Sequence, residues 1–187
     1  MIRSIRVRLL TLSHVEVLLK NIFLTGFMGC GKTSVGRVLS ARLGCDFVDL
    51  DQAIVREAGV SIKEIFASQG EPAFRRLESQ ALARVAAGAG AVVSTGGGAV
   101  IAPENRELMR QTGSIVNLTA SIGAIAARLS RDSERPLLEG DASAERIRSM
   151  LEAREQFYAD ADLRIDTTAK TIEAVAAEIL GSLKGCL

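Results

Sequence analysis

A glycine-rich segment with one lysine and one threonine stands near the beginning of the chain. Residues 26–33 read GFMGCGKT and fit the pattern GxxxxGK[ST] at every fixed position. The segment follows a short apolar run, 21–25, and precedes a stretch with helical spacing, which is the context that gives the pattern meaning. Glycines let several backbone N–H groups face one oxyanion, and the helix N-terminus adds its positive dipole end. The segment therefore predicts binding of a nucleoside triphosphate, with Lys32 at the β- and γ-phosphates and Thr33 on Mg²⁺.

Two aspartates, Asp49 and Asp51, lie at the end of the predicted strand 45–50. The carboxyl ends of parallel strands gather at the ligand crevice, and alternation along the strand would put both carboxylates on one side. One could orient the water shell of a metal, and the other could accept the proton of a substrate hydroxyl. The alternative is that both cap the next helix, for which Asp51 is well placed. The phosphate loop upstream favours the functional interpretation.

Three consecutive glycines, 96–98, follow the predicted strand 91–95. An ordinary metal-binding strand in a nucleotide-binding protein would end in an acidic residue, but this strand does not. Glycines after a strand allow the backbone to approach a ligand closely, whereas a simple strand-to-helix turn needs fewer of them. We therefore expect this segment to face the substrate.

The surrounding pattern supplies elements that could position these residues. Short apolar runs alternate with stretches of helical spacing, which predicts an α/β chain with a parallel sheet covered on both faces. A polar stretch, 130–142, is predicted to be a loop. The predicted strands are 21–25, 45–50, 91–95, 114–118 and 163–166. The predicted helices are 32–43, a short helix that begins at a capping box at 61–64, a helix from 71–72 to about 87, and the helices 103–113, 121–129, 143–158 and 172–183.

Composition limits the kind of core, the binding partners and the cysteine chemistry that this chain can have. With 48% hydrophobic but only 4% aromatic residues, the core must be aliphatic. Charge is nearly balanced, with 23 basic and 22 acidic residues, so there is no bulk attraction to nucleic acid or membranes. Cys30, Cys45 and Cys186 are too far apart to predict a zinc site or a disulfide framework, which favours a reduced, cytoplasmic setting. Cys30 is interpreted as a small filler within the phosphate loop rather than a redox switch.

The first twenty residues resemble a signal peptide, because arginines precede an apolar stretch. Polar residues interrupt that stretch, and no small-residue cleavage site follows it. We therefore expect residues 1–20 to be a disordered or loosely attached extension, and residues 21–187 to form a single domain.

Five blocks in order and spacing resemble the shikimate kinase family. They are the phosphate loop, VDLD at 48–51, SIKEIF…GEPAFRRLE at 61–78, STGGG at 94–98 and RPLL at 135–138. The resemblance covers residues 21 to about 180. It implies a three-layer αβα P-loop fold of the nucleoside-monophosphate-kinase type, with a five-stranded parallel sheet, a substrate-binding helical segment at about 50–80 and a mobile lid at about 130–142. It also implies transfer of the γ-phosphate of ATP to the 3-hydroxyl of shikimate by a monomer.

The resemblance assigns a role to each matching position. Asp49 would support Mg²⁺ through water, and Asp51 would hold shikimate hydroxyls and act as the base. Arg75 and Arg154 would clamp the shikimate carboxylate. The expected catalytic residues are Lys32, Asp51 and Arg135; the expected nucleotide-binding residues are Gly29, Cys30, Gly31, Lys32, Thr33, Ser34, Arg128 and Arg135; the expected substrate-binding residues are Asp51, Arg75, Gly97, Gly98 and Arg154; and the expected metal ligands are Thr33 and, through water, Asp49.

Two other functions fit the same phosphate loop. One is another small-molecule kinase, such as a gluconate or nucleoside monophosphate kinase, against which the GEPAFRRLE and TGGG blocks argue. The other is a regulatory nucleotide-binding module without catalysis. Such modules typically lose the metal-binding hydroxyl, the base or the lid arginine, whereas Thr33, Asp51 and Arg135 are all present here.

Overall fold

The computed structural model describes residues 20–130 and 143–185. Apart from Lys20 and Ser130 at their edges, the predicted extension (1–20) and the predicted lid (130–142) lie outside these residues. Arg135 lies outside them as well, so its role stays a prediction.

A single parallel sheet of five strands forms the centre of the described chain. The strands are β1 (Asn21–Thr25), β2 (Asp46–Asp49), β3 (Ala91–Ser94), β4 (Gly113–Thr119) and β5 (Leu163–Asp166). Their order across the sheet is β2-β3-β1-β4-β5, and each neighbouring pair is parallel. The predicted fold class is therefore confirmed.

Seven α-helices connect and cover these strands in the described parts of the chain. They are α1 (Lys32–Leu43), α2 (Leu50–Ala58), α3 (Ile62–Ala86), α4 (Pro103–Thr112), α5 (Ile122–Leu129), α6 (Ala144–Tyr158) and α7 (Ile172–Gly185), with a short 3₁₀ helix at Ala99–Ile101. The predicted bounds of α1, β1 and β5 match the structure, while other predicted elements differ at one or both ends.

Helix α2 begins at Leu50, which was expected to be the last residue of the preceding strand. The predicted strand 45–50 ends at Asp49, whose side chain accepts a hydrogen bond from the N–H of Gln52 at 3.3 Å and so caps α2. The suggestion that Asp51 caps this helix is wrong, because Asp51 lies inside its first turn. The expectation that strand alternation aligns the two carboxylates is wrong for the same reason.

Helix α3 contains the two helix starts that the sequence predicts. At Ser61 the capping box is complete: its Oγ accepts the N–H of Glu64 at 3.2 Å, and the Glu64 carboxylate accepts the N–H of Ser61 at 2.7 Å. The helix is broken at Gly70, whose φ of 76° and ψ of 172° are not helical, two residues before Pro72. The second half, after the break, carries the FRRLE block.

The central strand of the sheet is completely buried and mostly apolar. All five residues of β1 are buried, and Phe23 pairs in register with Val93 on one side and Ile115 on the other. Strand order reverses around β1, so the crevice at the carboxyl end of β1 is the expected ligand site. The phosphate loop, Asp49 and the three glycines all follow strand ends at this edge.

The described residues contain no helix that is both long enough and apolar enough to cross a lipid bilayer. The cytoplasmic setting remains a prediction.

Candidate active site

The phosphate loop leaves the helix N-terminus open to an anion. Gly31 precedes α1 with a φ of 94°, and no side chain caps the helix there. Gly26 has a φ of 129°, and a β-carbon on it would overlap the carbonyl oxygen of Leu118. These two positions therefore require glycine. The uncapped N–H groups of the first turn, together with the helix dipole, form an anion-binding site.

Lys32 spans the mouth of this loop. Its ammonium group donates to the carbonyl oxygens of Gly26 at 2.8 Å and Phe27 at 3.0 Å. The positive charge is thus held beside the N–H groups that would face a phosphate, which is the position the motif predicts.

Thr33 and Asp49 meet at the first turn of α1. The Thr33 hydroxyl donates to the Asp49 carboxylate at 2.8 Å and lies 3.4 Å from the Ser94 hydroxyl. Hydroxyl and carboxylate oxygens are the donors that Mg²⁺ takes, usually with several waters and the phosphates of its nucleotide. The described residues hold no group of three or more His, Cys, Asp or Glu side chains suited to a metal. A site built from two protein oxygens and a nucleotide fits the residues present.

A cavity of about 370 Å³ extends from the phosphate loop to α3 and α6. Asp49 and Asp51 both line it, although only the first belongs to the strand. The predicted site residues that line this cavity are Gly29, Gly31, Lys32, Thr33, Ser34, Asp49, Asp51, Arg75, Gly97, Gly98, Arg128 and Arg154.

Arg75 is held at one wall of the cavity by two carboxylates. Its guanidinium donates to Glu78 at 2.8 Å and to Glu71 at 2.8 and 3.1 Å, both on the same helix. A β-carbon on Gly98 would lie 2.5 Å from the guanidinium carbon, so the glycine makes room for Arg75. Backbone and arginine therefore approach each other closely where the acceptor is expected.

Glu78 is the buried carboxylate that the sequence reasoning did not select. Its side chain is inaccessible to solvent, and its Oε1 has no hydrogen-bond partner among the described residues. Burial raises the pKa of Glu78, and the neighbouring charge of Arg75 opposes that rise. A β-carbon on Gly96 would overlap Glu78 and lie 3.2 Å from Asp51, so these two carboxylates share the space left by Gly96. The spacing of Glu78 three residues after Arg75 could have suggested the ion pair.

Arg154, on α6, also lines the cavity. Only 9% of the residue is exposed, and its Nη1 has no hydrogen-bond partner in the described structure. The guanidinium carbon lies 5.9 Å from the ring centre of Phe27, at the phosphate loop. A buried cation with an unused donor is suited to an anionic ligand, because leaving the donor unpaired is costly.

Arg128 and Thr167 brace the back of the phosphate loop. Arg128 donates to the carbonyl oxygens of Gly29 and Thr167, each at 2.9 Å. The buried Thr167 hydroxyl bridges the carbonyl oxygens of Cys30, at 3.2 Å, and Thr119, at 3.0 Å. Thr167 was not predicted, because nothing in its local sequence indicates a partner 137 residues away.

Cys30 does not line the cavity, although it belongs to the loop. The residue is 1% exposed, and burial raises the pKa of its thiol despite the nearby charges of Lys32 and Arg128. A buried, protonated thiol is unreactive, which agrees with its interpretation as a filler.

The sheet order and the loop after its central strand place the chain in the class of P-loop kinases. The sequence profile of the shikimate kinase family matches residues 28–184. A shikimate kinase from Geobacter metallireducens is 58% identical over 89% of this chain and 93% of its own, and one from Geobacter sulfurreducens is 54% identical over 86% and 88%. The chain therefore belongs to the shikimate kinase family.

Solved structures agree with this assignment. A shikimate kinase from Acinetobacter baumannii, in complex with shikimate, has a TM-score of 0.88 and 35% identity over 93% of this chain and 98% of its own. A gluconokinase from Sinorhizobium meliloti has a TM-score of 0.55 at 17% identity, which shows a shared fold alone. The family resemblance inferred from the five sequence blocks is confirmed.

Proposed function

We propose that this chain transfers the γ-phosphate of ATP to the 3-hydroxyl of shikimate, giving shikimate 3-phosphate and ADP. One observation carries the proposal: the cavity that begins at the phosphate loop ends at two arginines, Arg75 and Arg154. A small carboxylate bound between them would lie next to the phosphates of a nucleotide. The structural similarity to a shikimate kinase solved with shikimate supports this choice of acceptor.

The acceptor binds at the end of the cavity formed by α2, α3 and α6. The planar guanidinium groups of Arg75 and Arg154 suit a carboxylate, which each can contact with paired N–H groups. Phe66 and Phe74 line the same cavity with ring centres 4.9 Å apart, and they offer an apolar wall to a carbon ring. Residues of the predicted substrate-binding segment, about 50–80, thus supply most of this pocket.

Asp51 accepts the proton of the 3-hydroxyl as the reaction proceeds. The hydroxyl oxygen forms a bond to the γ-phosphorus, and the bond from that phosphorus to the β–γ bridging oxygen breaks, leaving its electron pair on ADP. Asp51 lies on the cavity wall beside Gly96, and the phosphate loop lines the same cavity. A carboxylate there can hold the hydroxyl in line with the phosphate before it takes the proton.

Lys32 and the N–H groups of the phosphate loop stabilise the charge on the transferred group. Catalysis of phosphoryl transfer rests on positioning and on charge stabilisation. Arg128 donates to the carbonyl oxygen of Gly29 in the loop and lines the cavity, and the family resemblance implies that it lies near the adenine.

Thr33 and, through water, Asp49 are the residues that would hold Mg²⁺. The ion, when bound, neutralises charge on the β- and γ-phosphates. The hydrogen bond between the two side chains keeps both oxygens together at the first turn of α1, beside the phosphate loop.

We further propose that the chain acts as a monomer, as the family resemblance implies. Light scattering on the purified protein, with and without ATP, tests that part directly.

The position of the new phosphate tests the proposed reaction. The purified protein would be incubated with Mg·ATP and shikimate, and the product would be analysed by ³¹P and ¹H NMR. We expect one phosphomonoester whose phosphorus couples to the proton on C3. Phosphate on another hydroxyl would refute the regiochemistry, and release of inorganic phosphate alone would refute the transfer.

A pair of variants tests the role of Asp51. Asp51→Asn should lose at least about a hundredfold in kcat while still binding ATP, because general-base catalysis contributes about 10²–10⁴-fold. Asp46→Asn, on the exposed start of β2, is the matched control and should retain activity. Full turnover by Asp51→Asn would remove Asp51 as the base.

A further inference from the structure

Tyr158 makes an unusual link between two parts of the acceptor site. Its hydroxyl donates to the carbonyl oxygen of Gly97 at 2.5 Å, joining α6 to the glycine segment after β3. The residue is 3% exposed and lies behind the cavity wall, not in it. Neither the phosphate loop nor the proposed reaction assigns a role to this hydroxyl.

The hydrogen bond fixes the orientation of one peptide unit in the cavity wall. The carbonyl of Gly97 and the N–H of Gly98 belong to the same planar, trans unit, so they point in opposite directions. A donor that holds the carbonyl toward α6 therefore directs the Gly98 N–H away from α6. Three consecutive glycines have more backbone freedom than any other segment of this length, so this peptide needs such an anchor.

The same hydroxyl also lies against Arg154. The two residues are four apart on α6 and interact through their polar ends. Tyr158 thereby contacts the side chain that closes one end of the acceptor pocket and the backbone that forms its floor. Arg154 keeps an Nη1 that has no hydrogen-bond partner among the described residues and is available for a ligand.

We infer that Tyr158 is a positioning residue that sets the Gly98 N–H and the Arg154 guanidinium in one fixed arrangement for the acceptor. This inference rests on the proposed function, since it takes shikimate to be the ligand of that pocket. The hydrogen bond of Tyr158 is to the glycine segment and its polar neighbour is Arg154, so its main effect is expected on acceptor binding.

The Tyr158 hydroxyl stays protonated, so it can always donate its hydrogen bond to Gly97. Burial raises the pKa of Tyr158 to about 12, with Arg154 opposing the rise. The hydroxyl therefore keeps its proton throughout neutral and moderately alkaline conditions, and the link to Gly97 persists.

Tyr158→Phe removes the hydroxyl and retains the ring, so it tests the inference with little change in packing. We expect the KM for shikimate to rise about 5- to 20-fold, as is typical for loss of one or two hydrogen bonds, while kcat and the KM for ATP change less than about twofold. Phe157→Leu, the neighbouring position on α6 outside the cavity, is the control and should leave the acceptor KM unchanged.

Tyrosine emission gives a second measurement on the unaltered protein. The chain has one Tyr and no Trp, so its intrinsic fluorescence reports Tyr158 alone. Saturable binding of shikimate should change that emission, and ADP alone should change it less. This readout does not depend on whether Tyr158→Phe folds.

The outcomes separate the inference from the proposed function. If the wild-type protein phosphorylates shikimate but Tyr158→Phe keeps its acceptor KM, the positioning role is wrong. An equal rise in both KM values with a lowered melting temperature, or tyrosine emission indifferent to shikimate, also contradicts it. If the wild-type protein shows no activity with shikimate, the proposed function itself fails.

Discussion

Replacing Arg154 by Met should separate acceptor binding from the rest of catalysis. Methionine keeps most of the volume of the side chain but removes its charge and its donors. Arg154 is 9% exposed, and one of its nitrogens has no partner in the described structure. The free enzyme should therefore lose little stability, about 1 kcal/mol or less, whereas the bound carboxylate should lose a charged partner.

The expected size of the effect follows from the contacts available. A hydrogen bond to a charged group contributes about 1.5–3 kcal/mol, and Arg75 remains to hold the carboxylate in the variant. We expect a loss of about 2–3 kcal/mol, which corresponds to about 30- to 160-fold in kcat/KM for shikimate. The carboxylate is remote from the reacting hydroxyl, so the loss should appear mainly as a higher KM.

An ADP-release assay with shikimate and its methyl ester identifies the contact. Wild-type enzyme should strongly prefer the acid, and Arg154→Met should reduce that preference by about the same 30- to 160-fold, because the ester lacks the charge that Arg154 binds. Arg148→Met, an exposed position on the same helix, should retain the preference. An undiminished preference for the acid in Arg154→Met would refute the assignment of Arg154 to the carboxylate.

Three further predictions follow from the contacts of the site. Gly98→Ala should raise the acceptor KM about 10- to 100-fold, because the new β-carbon displaces the Arg75 guanidinium from its place beside Glu78; an unchanged KM would contradict this. Burial raises the pKa of Glu78, so its contribution to stability is present below the unfolded pKa, near 4.5, and is lost as pH rises through the folded pKa. The unfolding free energy of the wild type minus that of Glu78→Gln, measured in urea, should therefore fall with rising pH. If this difference grew with pH, the pKa of Glu78 would be lowered by folding and not raised. Thr167→Val should raise the KM for ATP about fivefold and leave the acceptor KM unchanged, since its hydroxyl connects the phosphate loop to the end of β4 and bonds no residue of the acceptor pocket; equal effects on both substrates would argue against that role.

Local signals were sufficient to predict most of the elements. The glycine turn before Lys32 and Gly44 after Leu43 mark both ends of α1, and the capping box at Ser61 marks the start of α3. Helix α2 was missed because the preceding apolar run continues through Leu50, which is buried whether it belongs to a strand or a helix. Only the end of pairing with β3 after Asp49 shows that Leu50 belongs to a helix and not to the strand. Pairing with a strand that is distant in sequence cannot be inferred from the residues around Leu50.

The site was predictable where chemistry is carried by a motif, and less so where it depends on tertiary contacts. The phosphate loop and the arginines could be located from residue types and family spacing. Glu78 could not be assigned to the interior from its type, since glutamate is rarely buried without a partner. Tyr158 and Thr167 act through carbonyl oxygens of Gly97 and Cys30 that are distant in sequence, so only the folded chain reveals them.

The central claim concerns the acceptor, and a steady-state comparison of acceptors tests it most directly. ADP release with Mg·ATP would be measured with shikimate, gluconate, nucleoside monophosphates and no acceptor. We predict a large rate that depends on shikimate and a rate near background in the other cases. A higher rate with gluconate or a nucleotide, or nucleotide binding with no acceptor-dependent rate, would contradict the account.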